Sequence, residues 1–389
     1  MSTRLNSVFA RLPTTIFTVM SALAAEHDAI NLGQGFPDED GPLSIRERAA
    51  AALREGPNQY PPSRGLPALR QAIAAHAKRF YGFDLDPERN VLVTSGGTEA
   101  LTASILALAG EGGEVVLIEP AYDSYRPIAL AAGARVKSVK LTPPDWRLEE
   151  TALAEAVTPE TRALVLNTPL NPIGRVFGRD ELAGAARVLA RSNAIAICDE
   201  VYEHLVFDRR PHLPLIGFPE MAERTVRVGS AGKMFSLTGW KVGWVTGTAP
   251  LIDVIAKAHQ FITFTTPPAL QRGIAYALTE EMNFTLALTN ALQDNRDLLA
   301  SRLTRIGFGV LPCEGTYFLT ADIRKLTNER DDAFCKRLVK DAGVALIPLS
   351  AFFETGEPSH LVRFAFCKKR ELLEQALDGL ENHFSTGTP

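Results

Sequence analysis

The chain has 389 residues, 46% of them hydrophobic and 22% charged, with a formal net charge of −4. The length suffices for a large core and two domains, and so small a charge, scattered without a basic block, argues against a nucleic-acid or anionic-membrane partner. Cys198, Cys313, Cys335 and Cys367 sit in or beside apolar runs, which predicts reduced core thiols in a cytoplasmic protein, and no metal-ligand spacing occurs.

The N-terminal stretch MSTRLNSVFARLPTT lacks an apolar signal core, and no uninterrupted membrane span occurs anywhere in the sequence. Its Ser/Arg content leaves a transit peptide as the minor alternative. The arm, residues 1–41, ends in INLGQGFPDEDGP, whose glycines and prolines read as turns. A helix is predicted near Leu43 to Glu55, followed by the turn-rich GPNQYPPSRGLP. A second helix, Pro67 to Phe80, places Leu69, Ile73 and Ala77 on one face.

From Val91 onward, β-branched runs alternate with Ala/Leu-rich helical segments. Strands are predicted at Val91–Val93, Val115–Ile118, Val136–Val139, Ala163–Asn167, Ala194–Cys198, Val226–Gly229 and Val242–Thr246. The fold class is therefore α/β, a mostly parallel seven-stranded sheet covered by helices. The last two runs are too close in sequence for a helical crossover and should be antiparallel neighbours. After a helical tract from Met282 to Ile306, strand and helix alternate again in a smaller α+β domain. The expected division is a large domain over residues 41–280 and a small one made from 1–40 with 281–389.

Ligands of such sheets gather at the carboxyl ends of the strands. Ser95, Tyr122, Asn167, Asn171, Asp199, Ser230 and Lys233 all follow predicted strands. Lys233, in SAGKMFSLTGWKVGW, has small and aromatic neighbours. A surface ammonium is the ordinary reading of a lone lysine, but a desolvated amine is a nucleophile able to form a Schiff base with an aldehyde cofactor. In VTSGGTE, free amides at a helix start would favour a phosphate, while glycines in a tight turn explain the same residues equally well. Asp199 ends the apolar run AIAICDE. It could cap a helix, or it could pair with a protonated pyridine nitrogen, because an unpaired buried charge is costly. Tyr122 and Tyr202 are core aromatics or partners of a planar ring. Arg363, in LVRFAF, lies on a solvated edge strand or, if buried, needs an anion such as a carboxylate.

Competing motifs fail. No GxGxxG is present, Ser230-Ala-Gly-Lys233 matches SxxK without SDN or KTG, and Gly232-Lys233 lacks the glycine and Ser/Thr of a P-loop.

Together a phosphate cradle, a Schiff-base lysine and an acid for a pyridinium describe a pyridoxal phosphate site. The sequence resembles the fold-type I, class I aminotransferases, in particular the branch of methionine, glutamine and kynurenine aminotransferases. The resemblance runs the length of the chain, through TTIFTVMSALA, INLGQGFPDEDGP, NQYPPSRG, NTPLNPIG, CDEVYEHLVF, SAGKMFSLTGWKVGW and HLVRFAFCKK. It implies that Lys233 carries the cofactor and moves the Cα proton, that Asp199 holds the pyridine nitrogen protonated, and that Asn171 and Tyr202 bond the phenolate oxygen. It further implies that Tyr122 stacks on the ring and that Gly97, Thr98, Ser230 and Lys241 hold the phosphate, joined by Tyr60 of a second subunit. Arg363, Asn171 and the backbone of Gly35 would bind the substrate carboxylate. Amino acid and 2-oxo acid substrates and a homodimer with shared sites follow from the same likeness.

Gly97, Leu170 and Ile173 depart from the family's usual Ala, His and Thr; none of the three removes a catalytic group, and Leu170 and Ile173 loosen the tie to any one substrate side chain. No second arginine is placed for a distal carboxylate. Ile16, Phe17, Leu170 and Phe264 are the expected apolar lining, which predicts methionine, aromatic, kynurenine or glutamine substrates. N-succinyl-diaminopimelate transamination and C–S β-elimination are the alternatives.

Overall fold

The computed structural model describes residues 5–386, so the first four residues of the Ser/Arg-containing start lie outside the described residues. Its main sheet has seven strands in the spatial order Val91–Thr94, Gly243–Thr246, Thr225–Ser230, Ile195–Asp199, Thr161–Asn167, Glu114–Glu119, Arg135–Lys140. Every predicted strand is present, with ends shifted by a residue or two. Only Gly243–Thr246 runs against its neighbours, as the short connection after Ser230 requires. The central strands are buried almost throughout, Arg162 at the start of Thr161–Asn167 being exposed, which is why they read as apolar runs. The edge strand RVKSVK keeps its charges toward water.

Helices Leu43–Glu55, Pro67–Tyr81 and Met282–Ile306 lie where the periodicity puts them, and Leu69, Ile73 and Ala77 are buried. The arm holds more structure than its turn-rich end suggests. Ile16–Glu26 is a helix, its start capped by the Thr15 hydroxyl accepting from the Thr18 amide and its buried face reduced to Met20 and Ala24. Ile30–Asn31 then pairs in parallel with Val344–Ala345. Two buried positions and a two-residue strand leave little periodic signal.

A second, antiparallel sheet orders Ile347–Pro348, Leu361–Ala365, Phe318–Asp322 and Gly309–Val310. Arg363 lies in its interior, opposite Thr320 and Ile347, and is 1% exposed. The solvated-edge reading of Arg363 is therefore corrected. All four cysteines are free and buried. Among the described residues no helix is long and apolar enough to cross a membrane.

Behind the sheet, Arg227 is buried between carboxylates. Its Nε donates to Glu200 at 2.6 Å and an Nη to Glu203 at 3.0 Å, while the guanidinium lies 4.6 Å from the Tyr81 ring. Beside it the Nε2 atoms of His76 and His204 are hydrogen-bonded at 2.7 Å. Although His76, Glu203 and His204 bring ligand atoms within 4.8 Å of one another, the two imidazoles bond each other and Glu203 is taken by Arg227. The trio is thus accounted for as a hydrogen-bonded cluster.

Arg227→Ala would strand two buried carboxylates. It should cost about 3–5 kcal/mol, read as a lowered urea midpoint, and the triple variant Arg227→Met/Glu200→Gln/Glu203→Gln should recover much of the loss.

Candidate active site

A cavity of about 330 Å³ opens at the carboxyl ends of the parallel strands. Asn167 and Asp199 are register partners at the last position of adjacent strands, and Ser230 ends the next one. The strand end passes directly into the single-turn helix Ala231–Met234, which lifts Lys233 into the cavity.

Lys233 Nζ donates to Tyr317 Oη at 2.8 Å. Burial pushes its ammonium down to about 8, and Lys241 and Arg363 press in the same direction, partly offset by Cys367 and Asp199. Asp199, 4% exposed, accepts from Tyr125 Oη at 2.5 Å and weakly from the Val201 amide at 3.4 Å. Burial pushes its carboxyl up to about 6, against the hydrogen bond from Tyr125. No ion pair to Asp199 forms among the described residues, so this carboxylate faces the cavity without a cation in contact. The helix-cap reading fails, because no helix of the main sheet begins at this residue.

At one end of the cavity, the chain turns through Gly96 (φ +81°) into the helix Gly96–Ala109. A Cβ on Gly96 would crowd the Lys241 side chain at 3.2 Å, and one on Gly243 would run into the Gly96 backbone at 2.7 Å. Gly97, Thr98, Ser230 and Lys241 all line this end. Helix amides, a hydroxyl and an ammonium around a space kept open by glycine form a cradle for a phosphate.

At the other end, Arg363 donates to Asn171 Oδ1 at 3.0 Å and to the Gly33 carbonyl at 2.8 Å, while its Nε has no partner. Its plane lies 3.9 Å from the Phe318 ring. Burial lowers it to about 10, so it remains a cation at neutral pH. Asn171 is fixed in turn by its own amide on Asn167 Oδ1 at 2.8 Å. Gly35 lines the cavity beside them, its carbonyl taken by Tyr317 Oη at 2.6 Å, and it is the Gly33 carbonyl that touches the arginine. A Cβ on Gly35 would stand 2.5 Å from the Phe318 ring.

Tyr122 and Tyr202 also line the cavity; burial raises both phenols, so neither ionises at neutral pH. Tyr60 does not line it. Its side chain is 84% exposed, edge-on to Phe264 at 5.2 Å. Of the expected apolar lining, only Phe17 is present, with Phe36 and Phe318 beside it. Leu170 and Ile173 are buried at 1% and 0% exposure in the loop that carries Asn171, where they pack as core. Ser95 turns away, bonding Thr263 and Thr266.

Sequence reasoning missed Tyr125 and Tyr317. Tyr125 lies three residues after Tyr122, a spacing that could have flagged it. Tyr317 follows Thr316, whose backbone is left-handed (φ +66°) although threonine rarely adopts that conformation.

Residues 27–380 match the family model of class I and II aminotransferases. A Mycobacterium tuberculosis protein named as a probable N-succinyldiaminopimelate aminotransferase is 49% identical over 375 residues, 94% of each chain. The methionine aminotransferase of Escherichia coli is 42% identical over 374 residues, 96% of this chain and 97% of its own. Human kynurenine–oxoglutarate transaminase 1 is 36% identical over 390 residues, 92% of both chains. Among solved structures, an N-succinyldiaminopimelate aminotransferase from M. tuberculosis superposes with a TM-score of 0.95 at 48% identity, covering 98% of this chain and all of the other. The seven-stranded sheet, the cavity at its strand ends and these likenesses agree: the chain belongs to the class I and II aminotransferases and is an aminotransferase.

Proposed function

We propose that this aminotransferase holds pyridoxal 5′-phosphate in the 330 Å³ cavity, attached through Lys233. The observation that carries the reading is a half-buried amine and a buried carboxylate, oppositely perturbed and lining one cavity. An amine lowered to about 8 faces the same space as an unpaired carboxylate raised to about 6. A ligand with an aldehyde and a basic ring nitrogen satisfies both, and the glycine-lined helix start accepts its phosphate. When bound, the cofactor supplies an electron sink for charge developing at the substrate Cα.

The protein's own residues do the rest. Asp199, backed by Tyr125, keeps the ring nitrogen protonated. Tyr122 and Tyr202 would line the space for the ring, and Tyr202 with Asn171 would offer hydrogen bonds to its phenolic oxygen. Gly97, Thr98, Ser230 and Lys241 hold the phosphate. Arg363, oriented by Asn171 and the Gly33 carbonyl, takes the substrate carboxylate next to Gly35, and Lys233 Nζ takes the proton from Cα. At pH 7 roughly one Lys233 amine in ten is neutral, against fewer than one in a thousand for an unperturbed lysine.

Residues 41–280 would form the large cofactor-binding domain and 1–40 with 281–389 the N-terminal arm and small domain. The exposed Tyr60 supports a homodimer in which it reaches a neighbour's phosphate. Free buried cysteines support a cytoplasmic location.

For the amino donor, the lining supports an apolar side chain. Phe17, Phe36 and Phe318 surround it, and the basic groups there, Lys233, Lys241 and Arg363, already have tasks. Methionine, aromatic amino acids, kynurenine and glutamine fit such a wall, which discriminates weakly. N-succinyl-diaminopimelate is the second reading, supported by the 49% identical relative.

Adding pyridoxal phosphate to cofactor-free protein, then borohydride, should place the label on the GKMFS peptide, at a rate that rises with pH up to about 8 as the amine loses its proton. A label on Lys241 or on no lysine would refute the assignment. Mixing Tyr60→Phe with Lys233→Ala protein should regenerate activity in hybrid sites lacking both lesions, and a fully active monomer in sedimentation would contradict the shared site. In a screen of donors against several oxo acids, methionine and aromatic donors should lead. A preference for aspartate or the succinylated diamine beyond about a hundredfold exceeds what one methylene can explain and would overturn the apolar reading. Pyruvate and ammonia formed without an oxo acid would identify a β-lyase instead.

A further inference from the structure

A second cavity, about 230 Å³, lies behind the catalytic lysine. The helix Met282–Ile306 walls it with Phe284, Leu288 and Leu292, and Cys367 closes one side. Lys233 lines both cavities, and Tyr317 stands beside it on the rear one.

The hydrogen bonds around Tyr317 have a fixed direction. A carbonyl can only accept, so the phenolic proton is committed to the Gly35 oxygen at 2.6 Å. Toward Lys233 Nζ, 2.8 Å away, Tyr317 Oη can then only accept. Tyr317 is 1% exposed and packed edge-on against Tyr202 at 5.2 Å, and the Thr316 amide bonds the Leu205 carbonyl at 2.8 Å. The acceptor is therefore rigid before the lysine arrives. Burial holds its own ionisation far above neutrality, so it stays a phenol.

We propose that Tyr317 receives the Lys233 amine each time the substrate nitrogen displaces it, and that the rear cavity is the room into which the lysine withdraws. This rests on the reading of Lys233 as the point of attachment. In the exchange one C=N bond replaces another, the lysine leaves as an amine, and no oxidant or reductant is needed. The withdrawn Nζ donates one N–H to Tyr317 and keeps its lone pair for the proton at Cα. Around it stand Tyr202, Cys367, Asp199, Lys241 and Arg363, and the rear cavity adds Glu39, Lys369 and the Lys368–Asp38 ion pair.

Wild type, Tyr317→Phe and Ala287→Phe are to be compared. Ala287 lies on the exposed flank of the helix, lines the rear cavity and belongs to no catalytic group, so its phenylalanine fills the space without disturbing the fold. Borohydride labelling with pyridoxal phosphate comes first: no label on Lys233 in the wild type defeats the attachment reading and this one with it. With the label in place, single turnover of L-methionine, followed by cofactor absorbance, should slow about tenfold in Tyr317→Phe while the half-saturating concentration moves less than about twofold, as expected for one lost hydrogen bond to a charged group. In cofactor-free protein, competitive acetylation should show the Lys233 midpoint falling by about one pH unit in Tyr317→Phe and unchanged in Ala287→Phe, because the lost acceptor stabilised the ammonium. Ala287→Phe should also slow single turnover. Unchanged midpoint and rate in Tyr317→Phe overturn the role of the tyrosine, and a wild-type rate in Ala287→Phe overturns the withdrawal space, a result that decides the matter even if Tyr317→Phe fails to fold.

Discussion

Keeping water away from an amine and a carboxylate that do not touch each other is the constraint on which the rest of the structure depends. Lys233 and Asp199 are both driven toward neutrality by burial, one down to about 8 and the other up to about 6. Each shift is free energy held in the folded protein, about 1.4 kcal/mol per unit. The sign follows for each group. Lys233 binds fewer protons folded than unfolded between pH 8 and its ordinary value near 10.5, so stability rises with pH across that window. Asp199 binds more protons folded between pH 3.8 and about 6, so its contribution falls as pH rises there. A bound partner that restores charge to both groups relieves both costs, which couples loading to stability.

The scaffold that tolerates this lies on the reverse of the same segment. Along Asp199–Glu203, Asp199, Val201 and Tyr202 face the cavity while Glu200 and Glu203 reach back to Arg227. One short stretch after a strand thus carries chemistry on one side and its anchorage on the other. Arg227 fits between the carboxylates because its planar fork bonds both and its faces stack on Tyr81 and Phe83.

The main sheet was legible because buried parallel strands are unbroken β-branched runs, and the strand-end rule then gathered Asn167, Asp199, Ser230 and Lys233 into one place. Lys233 and Asp199 could be singled out by their apolar neighbours alone. The remaining roles needed the family likeness, since a tyrosine's or asparagine's partner is set by packing and not by spacing. Leu170 shows the limit: its place in a motif beside Asn171 suggested the lining, yet the loop turns it, with Ile173, into the core. Tyr317 and the helix Ile16–Glu26 were hidden because one depends on a contact with Gly35, 282 residues away in sequence, and the other buries only two side chains.

The arm's attachments reach very far along the chain. The Gly33 carbonyl and the Arg363 guanidinium that grips it are separated by 330 residues, and Ile30–Asn31 finds its strand partner only at Val344–Ala345. A ribosome adding about 5–20 residues per second needs roughly a quarter of a minute to a minute to bridge that separation. Throughout that interval the arm has emerged while its docking surface has not yet been made. The contact of Arg363 with Gly33 is therefore among the last features to form during synthesis, and a nascent chain can complete its central sheet well before the arm docks.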